Sequence, residues 1–229
     1  RSHGFVVSLS GGADSAACAY LVRMMVDLAL AELGVDGLRS KLGYLKDLPT
    51  DAASLTKRLL TTAYQSTRNS GDVTRNAARA VAEAIGADHH ELDVDALVQA
   101  YVALAEQALG RKLTWETDDV TLQNIQARVR APSVWTIANA RNQLLISTSN
   151  RSEAAVGYAT MDGDTAGGLS PIAGIDKAFL RQWLRWLERE GVPGLGPVPA
   201  MKHINAQQPT AELRPSESAQ TDEGDLMPY

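Results

Sequence analysis

The run Gly4-Phe-Val-Val-Ser-Leu-Ser10, followed at once by Gly11-Gly12 and then by a dense helical pattern, constrains this chain more than any other feature. A short apolar run ending in small residues predicts a strand buried in a parallel sheet. Downstream, Ala16, Cys18, Ala19, Leu21, Val22, Met25, Val26 and Leu28 recur at helical spacing. They predict a helix over 14–33, stopped by Gly34. Strand, glycine turn and helix together open a βα unit.

The alternation continues. Residues 59–64 predict a second strand, with β-branched Thr61 and Thr62 and aromatic Tyr64 in support. A helix over 73–85 ends at Gly86, a strand follows over 90–94, and a helix over 95–109 ends at Gly110. A longer helix over 122–139 contains Pro132, which is expected to kink or divide it. Residues 143–147 read as another buried strand and 176–190 as an amphipathic helix. Between the first helix and residue 56 the pattern is weak, predicting loop with a short helix over 52–60. From Gly191 onward, Pro193, Pro197, Pro199, Pro209, Pro215 and Pro228 predict an irregular, mobile tail over 191–229. Strands alternating with helices predict an α/β fold, a doubly wound, mostly parallel sheet flanked by helices. The 229 residues fit one domain.

Charge and composition narrow the function. A net charge of −5 with interleaved acids and bases disfavours nucleic acid as the main ligand. No apolar run approaches the roughly 20 residues that span a membrane, and no signal peptide is evident. Cys18, the only cysteine, excludes an intrachain disulfide or a thiolate metal cluster and predicts a core thiol in a cytoplasmic protein. His3, His89, His90 and His203 show no zinc-ligand spacing.

The chemistry gathers at Ser10-Gly-Gly-Ala-Asp-Ser15. A helix N-terminus presents unpaired N–H groups and partial positive charge, which suits phosphate, and Gly11 and Gly12 let the backbone approach a ligand. Ser10 and Ser15 add hydroxyls. Asp14 is the telling residue, because a carboxylate beside a phosphate cradle is repulsive unless a cation lies between them, which argues for Mg²⁺. The bland alternative makes Asp14 an N-cap and the glycines an ordinary turn. Neither a Walker loop nor a Gly-x-Gly-x-x-Gly fingerprint is present.

Ser-Gly-Gly-x-Asp-Ser after a first strand resembles the signature loop of the ATP pyrophosphatase superfamily, whose members adenylate a substrate and release pyrophosphate. Further segments narrow the resemblance to NAD synthetases: Leu60-Thr-Thr-Ala-Tyr64, Asn124-Ile-Gln-Ala-Arg128, Ser147-Thr-Ser-Asn-Arg-Ser-Glu153, Gly157-Tyr-Ala-Thr160, Gly163-Asp164, Pro171-Ile-Ala, Lys177, Pro209-Thr-Ala-Glu-Leu213 and Gln220-Thr-Asp-Glu223. The chain most resembles the synthetase part of the glutamine-dependent, two-domain form. That implies an adenine-nucleotide alpha-hydrolase-like fold and ATP-dependent amidation of deamido-NAD through an acyl-adenylate. The ammonia comes from glutamine by way of a glutaminase domain not present in this chain, or is taken up free.

The resemblance also implies roles. Asp14 and Glu153 become the Mg²⁺ ligands, and Asp14 and Lys177 the catalytic pair. Ser10, Gly11, Gly12, Asp14, Ser15, Thr148, Lys177 and Thr210 become ATP contacts. Asn124, Arg128 and Asp164 become contacts to deamido-NAD. Without the resemblance, Glu153 reads as a first-turn acid favoured by the helix dipole, Thr148 as an N-cap, Lys177 as a solvated lysine and Asp164 as a turn aspartate. Asn124 and Arg128, four apart on one helical face, read as a surface pair. Two departures stand out: Met161 replaces the family's lysine, and Gly168 falls where it has a second acid. A homodimer is implied as well. The rival readings are another adenylating amidotransferase, GMP-synthetase-like, and a nucleotide-binding module without catalysis. The Asn124/Arg128 pair weighs against the first, and retention of Asp14, Glu153 and Lys177 against the second.

Overall fold

The computed structural model describes residues 1–208 and 212–215. Four strands, β1 (Phe5–Ser8), β2 (Leu60–Ser66), β3 (Asp88–Asp93) and β4 (Leu144–Ile146), form one parallel sheet in the order β3-β2-β1-β4. The expected doubly wound parallel sheet is therefore present. The inner strands are the apolar ones: Val6 and Val7 of β1 and Leu60 and Ala63 of β2 are fully buried. Edge strand β3, Asp-His-His-Glu-Leu-Asp, is polar, as a half-solvated edge requires.

Helices cover both faces. α1 (Ala13–Lys41), α3 (Asp72–Ile85) and α7 (Lys177–Arg189) pack on one face around Val7, Leu9, Tyr64, Ile85 and Leu184. α5 (Asp119–Arg141) packs on the other through Val134 and Ala138 against Val6 and Leu145, with α4 (Asp95–Leu109) outside it. Each fully buried Leu, Ile or Val stabilises by about 1.5–3 kcal/mol, so these two seams dominate the fold. The remaining helices are α2 (Ala52–Leu59), α6 (Arg151–Val156) and α8 (Lys202–Asn205).

Three expectations change. Gly34 stops the first helical run as expected, with φ 64° and ψ 178°, but a second helical run follows at once and extends α1 to Lys41. Burial of Leu38 with Leu45, Leu48, Leu55 and Leu59 draws that segment back onto the domain, although its own pattern is weak. Pro132 does not divide α5, which runs through it unbroken. Buried Val129 before the proline and Val134 after it anchor both halves and outweigh the roughly 3 kcal/mol a mid-helix proline costs. The tail is not uniformly irregular: a 3₁₀ turn at Pro199–Met201 leads into α8, and Met201 and Ile204 are buried in the main core.

The strand order matters for function. α1 leaves β1 towards β2, whereas β4 lies on the other side of β1. The order reverses there, and in such sheets ligands bind outside the carboxyl ends of the strands at that reversal.

Candidate active site

At this reversal the turns after β1 and β4 face each other across a cleft of about 1590 Å³, counted to its open mouth. Ser10, Gly11, Gly12, Asp14 and Ser15 line it from the first turn, Thr148 and Glu153 from the second. Lys177 and Asp164 line it too.

The first turn is shaped by its own hydroxyls. Ser10 N–H donates to the Ser15 hydroxyl at 3.2 Å, Gly12 N–H to the Ser10 hydroxyl at 3.3 Å, and Ser15 Oγ to the Gly12 carbonyl at 3.2 Å. The N-cap of α1 is Gly12 and makes no side-chain capping bond, so Asp14 is not a cap and stands inside the first helical turn. Gly11 serves a purpose the sequence did not reveal. With φ +83°, a Cβ there would lie 2.2 Å from the Thr74 carbonyl oxygen, so the approach of α3 by itself requires glycine.

The second turn is a capping box. Asn150 Oδ1 accepts from Glu153 N–H at 3.0 Å, and Glu153 Oε2 accepts from Asn150 N–H at 3.2 Å. The cap of α6 is thus Asn150 and not Thr148. Asn150 also donates from Nδ2 to Asp14 Oδ1 at 2.8 Å, tying the two turns together. Sequence reasoning gave Asn150 no role.

Lys177 opens α7 under the cap of Asp176, which accepts from Phe179 N–H at 2.8 Å. The residue is 3% exposed, so it is not a solvated lysine. Nζ donates to Asp14 Oδ2 and, at 3.3 Å, to Glu153 Oε1. Burial, reinforced by the nearby Asp14 charge, pushes the Glu153 carboxyl up to about 7 against the pull of Lys177. Two carboxylates share this one ammonium, so with both ionised the group holds a negative excess. A divalent cation fits that excess, and Mg²⁺ takes only one or two protein carboxylates when phosphates and waters supply the rest.

Asp164 accepts from Thr160 N–H at 2.7 Å and faces the cleft, where burial pushes its carboxyl up. Asn124 and Arg128 do not line the cleft. Asn124 Oδ1 accepts from Thr160 Oγ1 at 2.9 Å, and Arg128 Nε donates to the Met161 carbonyl at 3.0 Å, so both brace the loop that carries Asp164. Met161 is exposed, and Gly168 packs against the Leu144 side chain with its N–H bonded to the Leu145 carbonyl at 2.8 Å. Thr210 lies outside the described residues. Glu212, assigned no role by the sequence, reaches the cleft and accepts from Thr74 Oγ1 at 2.7 Å.

Cys18 is fully buried, and burial and the charges of Asp14 and Glu153 push its thiol up, as for a core thiol. Trp183 packs on the core, 6.0 Å from the Tyr20 ring, whereas Trp186 is partly exposed. Among the described residues, no helix is long and apolar enough to cross a membrane.

The family model for NAD synthase matches residues 1–229. The glutamine-dependent NAD(+) synthetase of Oryza sativa subsp. indica is 32% identical over 249 residues, 99% of this chain and 33% of that protein. Its counterpart from Bos taurus is 33% identical over 251 residues, 99% of this chain and 35% of that protein. The chain thus spans about a third of the length of the curated relatives it matches. Among solved structures, a glutamine-dependent NAD(+) synthetase from Cytophaga hutchinsonii superposes with a TM-score of 0.80 at 49% identity, covering 94% of this chain and 37% of that one.

Proposed function

The chain belongs to the NAD synthase family, and we propose that it is the synthetase domain of an enzyme that amidates deamido-NAD to NAD at the expense of ATP. One observation carries this reading. Asp14, Glu153 and Lys177, from three separate elements, meet at the sheet's strand-order reversal beside an uncapped helix N-terminus.

The substrate carboxylate attacks the α-phosphorus of ATP; the bond to the β-phosphate oxygen breaks and pyrophosphate leaves. Ammonia then attacks the acyl carbon, loses a proton, and AMP departs with the carboxylate oxygen it gained. The residues mainly position and neutralise. N–H groups at the start of α1 and the hydroxyls of Ser10 and Ser15 cradle phosphate oxygens. Lys177 is buried on a four-carbon stem, which lets its ammonium turn from the carboxylates to phosphate oxygens. Thr148 and Thr210 complete the nucleotide contacts. Mg²⁺, held by Asp14 and Glu153, would draw negative charge off the triphosphate.

Asp164 faces the cleft as a contact to deamido-NAD. Asn124 and Arg128 brace its loop from outside the cleft, which suits a substrate site completed across a homodimer. The matched relatives are named as glutamine-dependent, so the ammonia is supplied by glutamine hydrolysis in a glutaminase domain outside this chain. Cys18, a buried thiol, suits work in a reducing cytoplasm.

The test is an assay with ATP, Mg²⁺, deamido-NAD and ammonium, followed by mass spectrometry. NAD and AMP are expected in equal amounts, with Asp14→Ala folded but inactive. ATP turnover that does not depend on deamido-NAD would point to another adenylating amidotransferase, and binding without turnover to a nucleotide-binding module.

A further inference from the structure

Arg130, on α5, lines the cleft but is used by nothing described so far. Its Nε is buried without a hydrogen-bond partner. Other arginines of the molecule find partners: Arg111 pairs with Asp118, Arg141 with Asp88, Arg214 with Asp119 and Arg68 with Asp95. Asp164 and Glu212 are the acids that face Arg130, yet among the described residues neither reaches ion-pair distance. Burial accordingly pulls the guanidinium below its ordinary range.

Its backbone, by contrast, is firmly held. Ser8 on β1 donates to Gln65 Oε1 at 2.8 Å, and Gln65 Nε2 donates in turn to the Arg130 carbonyl. Two inner strands thus fix the base of a side chain whose head is left uncompensated. Such an arrangement is costly in the free protein, since a half-buried guanidinium whose Nε is buried without a partner forfeits part of its hydration. It is relieved by an anion, and a guanidinium fork matches a carboxylate or a phosphoryl group bidentately.

We propose that Arg130 is a substrate-binding residue that takes an oxyanion of a bound ligand, at a point between the Ser10 loop and Asp164. The position follows from its neighbours. Tyr64 and Glu212 both bond Thr74, the residue against which Gly11 packs, while Asp164 lies on the opposite, glycine-rich loop. Two groups of the same chemistry meet there: a phosphoryl oxygen of ATP and the carboxylate of the dinucleotide. This inference rests on the proposed function and extends it to a residue with no assigned role.

The experiment compares native protein with Arg130→Leu and Arg130→Lys. Thermal midpoints are measured without ligand, and calorimetric dissociation constants with a non-hydrolysable ATP analogue and, separately, with deamido-NAD. Arg130→Leu is expected to melt at or above the native midpoint and to bind one ligand at least about tenfold more weakly, the lower range for a charged hydrogen bond. Arg130→Lys is expected to recover part of that loss. Weakening confined to the ATP analogue assigns the phosphoryl group, and weakening confined to deamido-NAD the carboxylate. A lower midpoint with both affinities unchanged would make Arg130 a structural cation and overturn the proposal, as would no change in any reading. NAD formation by the native protein is the separate control: its failure removes the proposed function, while Arg130 is still judged on binding.

Discussion

Asn150 and Asp14, 136 residues apart in the chain, are joined by a hydrogen bond of 2.8 Å from the Asn150 side-chain amide to the Asp14 carboxylate. The same asparagine caps α6 and so fixes Glu153. One residue therefore sets the separation of both carboxylates. Serine caps a helix about as well as asparagine but is too short to reach Asp14. Asn150→Ser is thus expected to keep stability within about 0.5 kcal/mol, whereas Asn150→Ala loses about 1 kcal/mol. Both should lose turnover on the order of tenfold, as expected for one hydrogen bond to a charged group. Denaturant midpoints and AMP release measure the two effects separately. Native turnover in Asn150→Ser would show that the tie to Asp14 is idle.

Gly11→Ala tests the packing of the first turn. At φ +83° the new methyl group would meet the Thr74 carbonyl oxygen at 2.2 Å, and neither backbone can retreat without disturbing β1 or α3. Positive φ in a non-glycine residue and the overlap together are expected to cost at least about 2–3 kcal/mol. That corresponds to a fall of about 5–10 °C in a domain of this size. A midpoint unchanged in differential scanning fluorimetry would remove the steric account of this glycine.

Asp118 carries a pH signature away from the active site. The Arg111 guanidinium, the Thr117 hydroxyl and the Thr114 N–H hold its carboxyl well below the usual carboxylate range. A carboxyl lowered on folding stabilises above its unfolded value, about 4, and loses that contribution as pH falls through the lower folded one. Asp118→Asn should therefore destabilise at pH 7, and the difference should shrink as pH falls from about 5 towards 2. Urea midpoints at neutral and acid pH check this. A difference constant across the range would mean that shape, and not charge, holds the 111–118 segment.

The legible parts of this protein are those whose causes are local. β1, its turn and the first part of α1 follow from apolar runs and glycines, and Gly86 and Gly110 end α3 and α4 in the left-handed conformation expected of them. Residues 35–41 were illegible because their helix depends on Leu38 reaching a distant cluster. Asp14 announced itself by charge beside a phosphate cradle. Glu153 and Lys177 had bland local readings, and only resemblance joined them to Asp14 before the sheet order placed their turns together. Arg130 carried no signal, since an arginine in a helical pattern reads as solvent-facing until the fold turns it into the cleft. Asn150 is hidden for a related reason: its cap is a local property, but its bond to Asp14 joins turns that follow two different strands.

The most direct test follows one oxygen atom. Deamido-NAD labelled with ¹⁸O in its nicotinate carboxylate is turned over with ATP, Mg²⁺ and ammonium, and the products are weighed by mass spectrometry. Attack of the carboxylate on the α-phosphorus predicts one labelled oxygen in AMP and none in pyrophosphate. Unlabelled AMP, or label in inorganic phosphate released with ADP, would contradict adenylation at the Asp14–Glu153–Lys177 site.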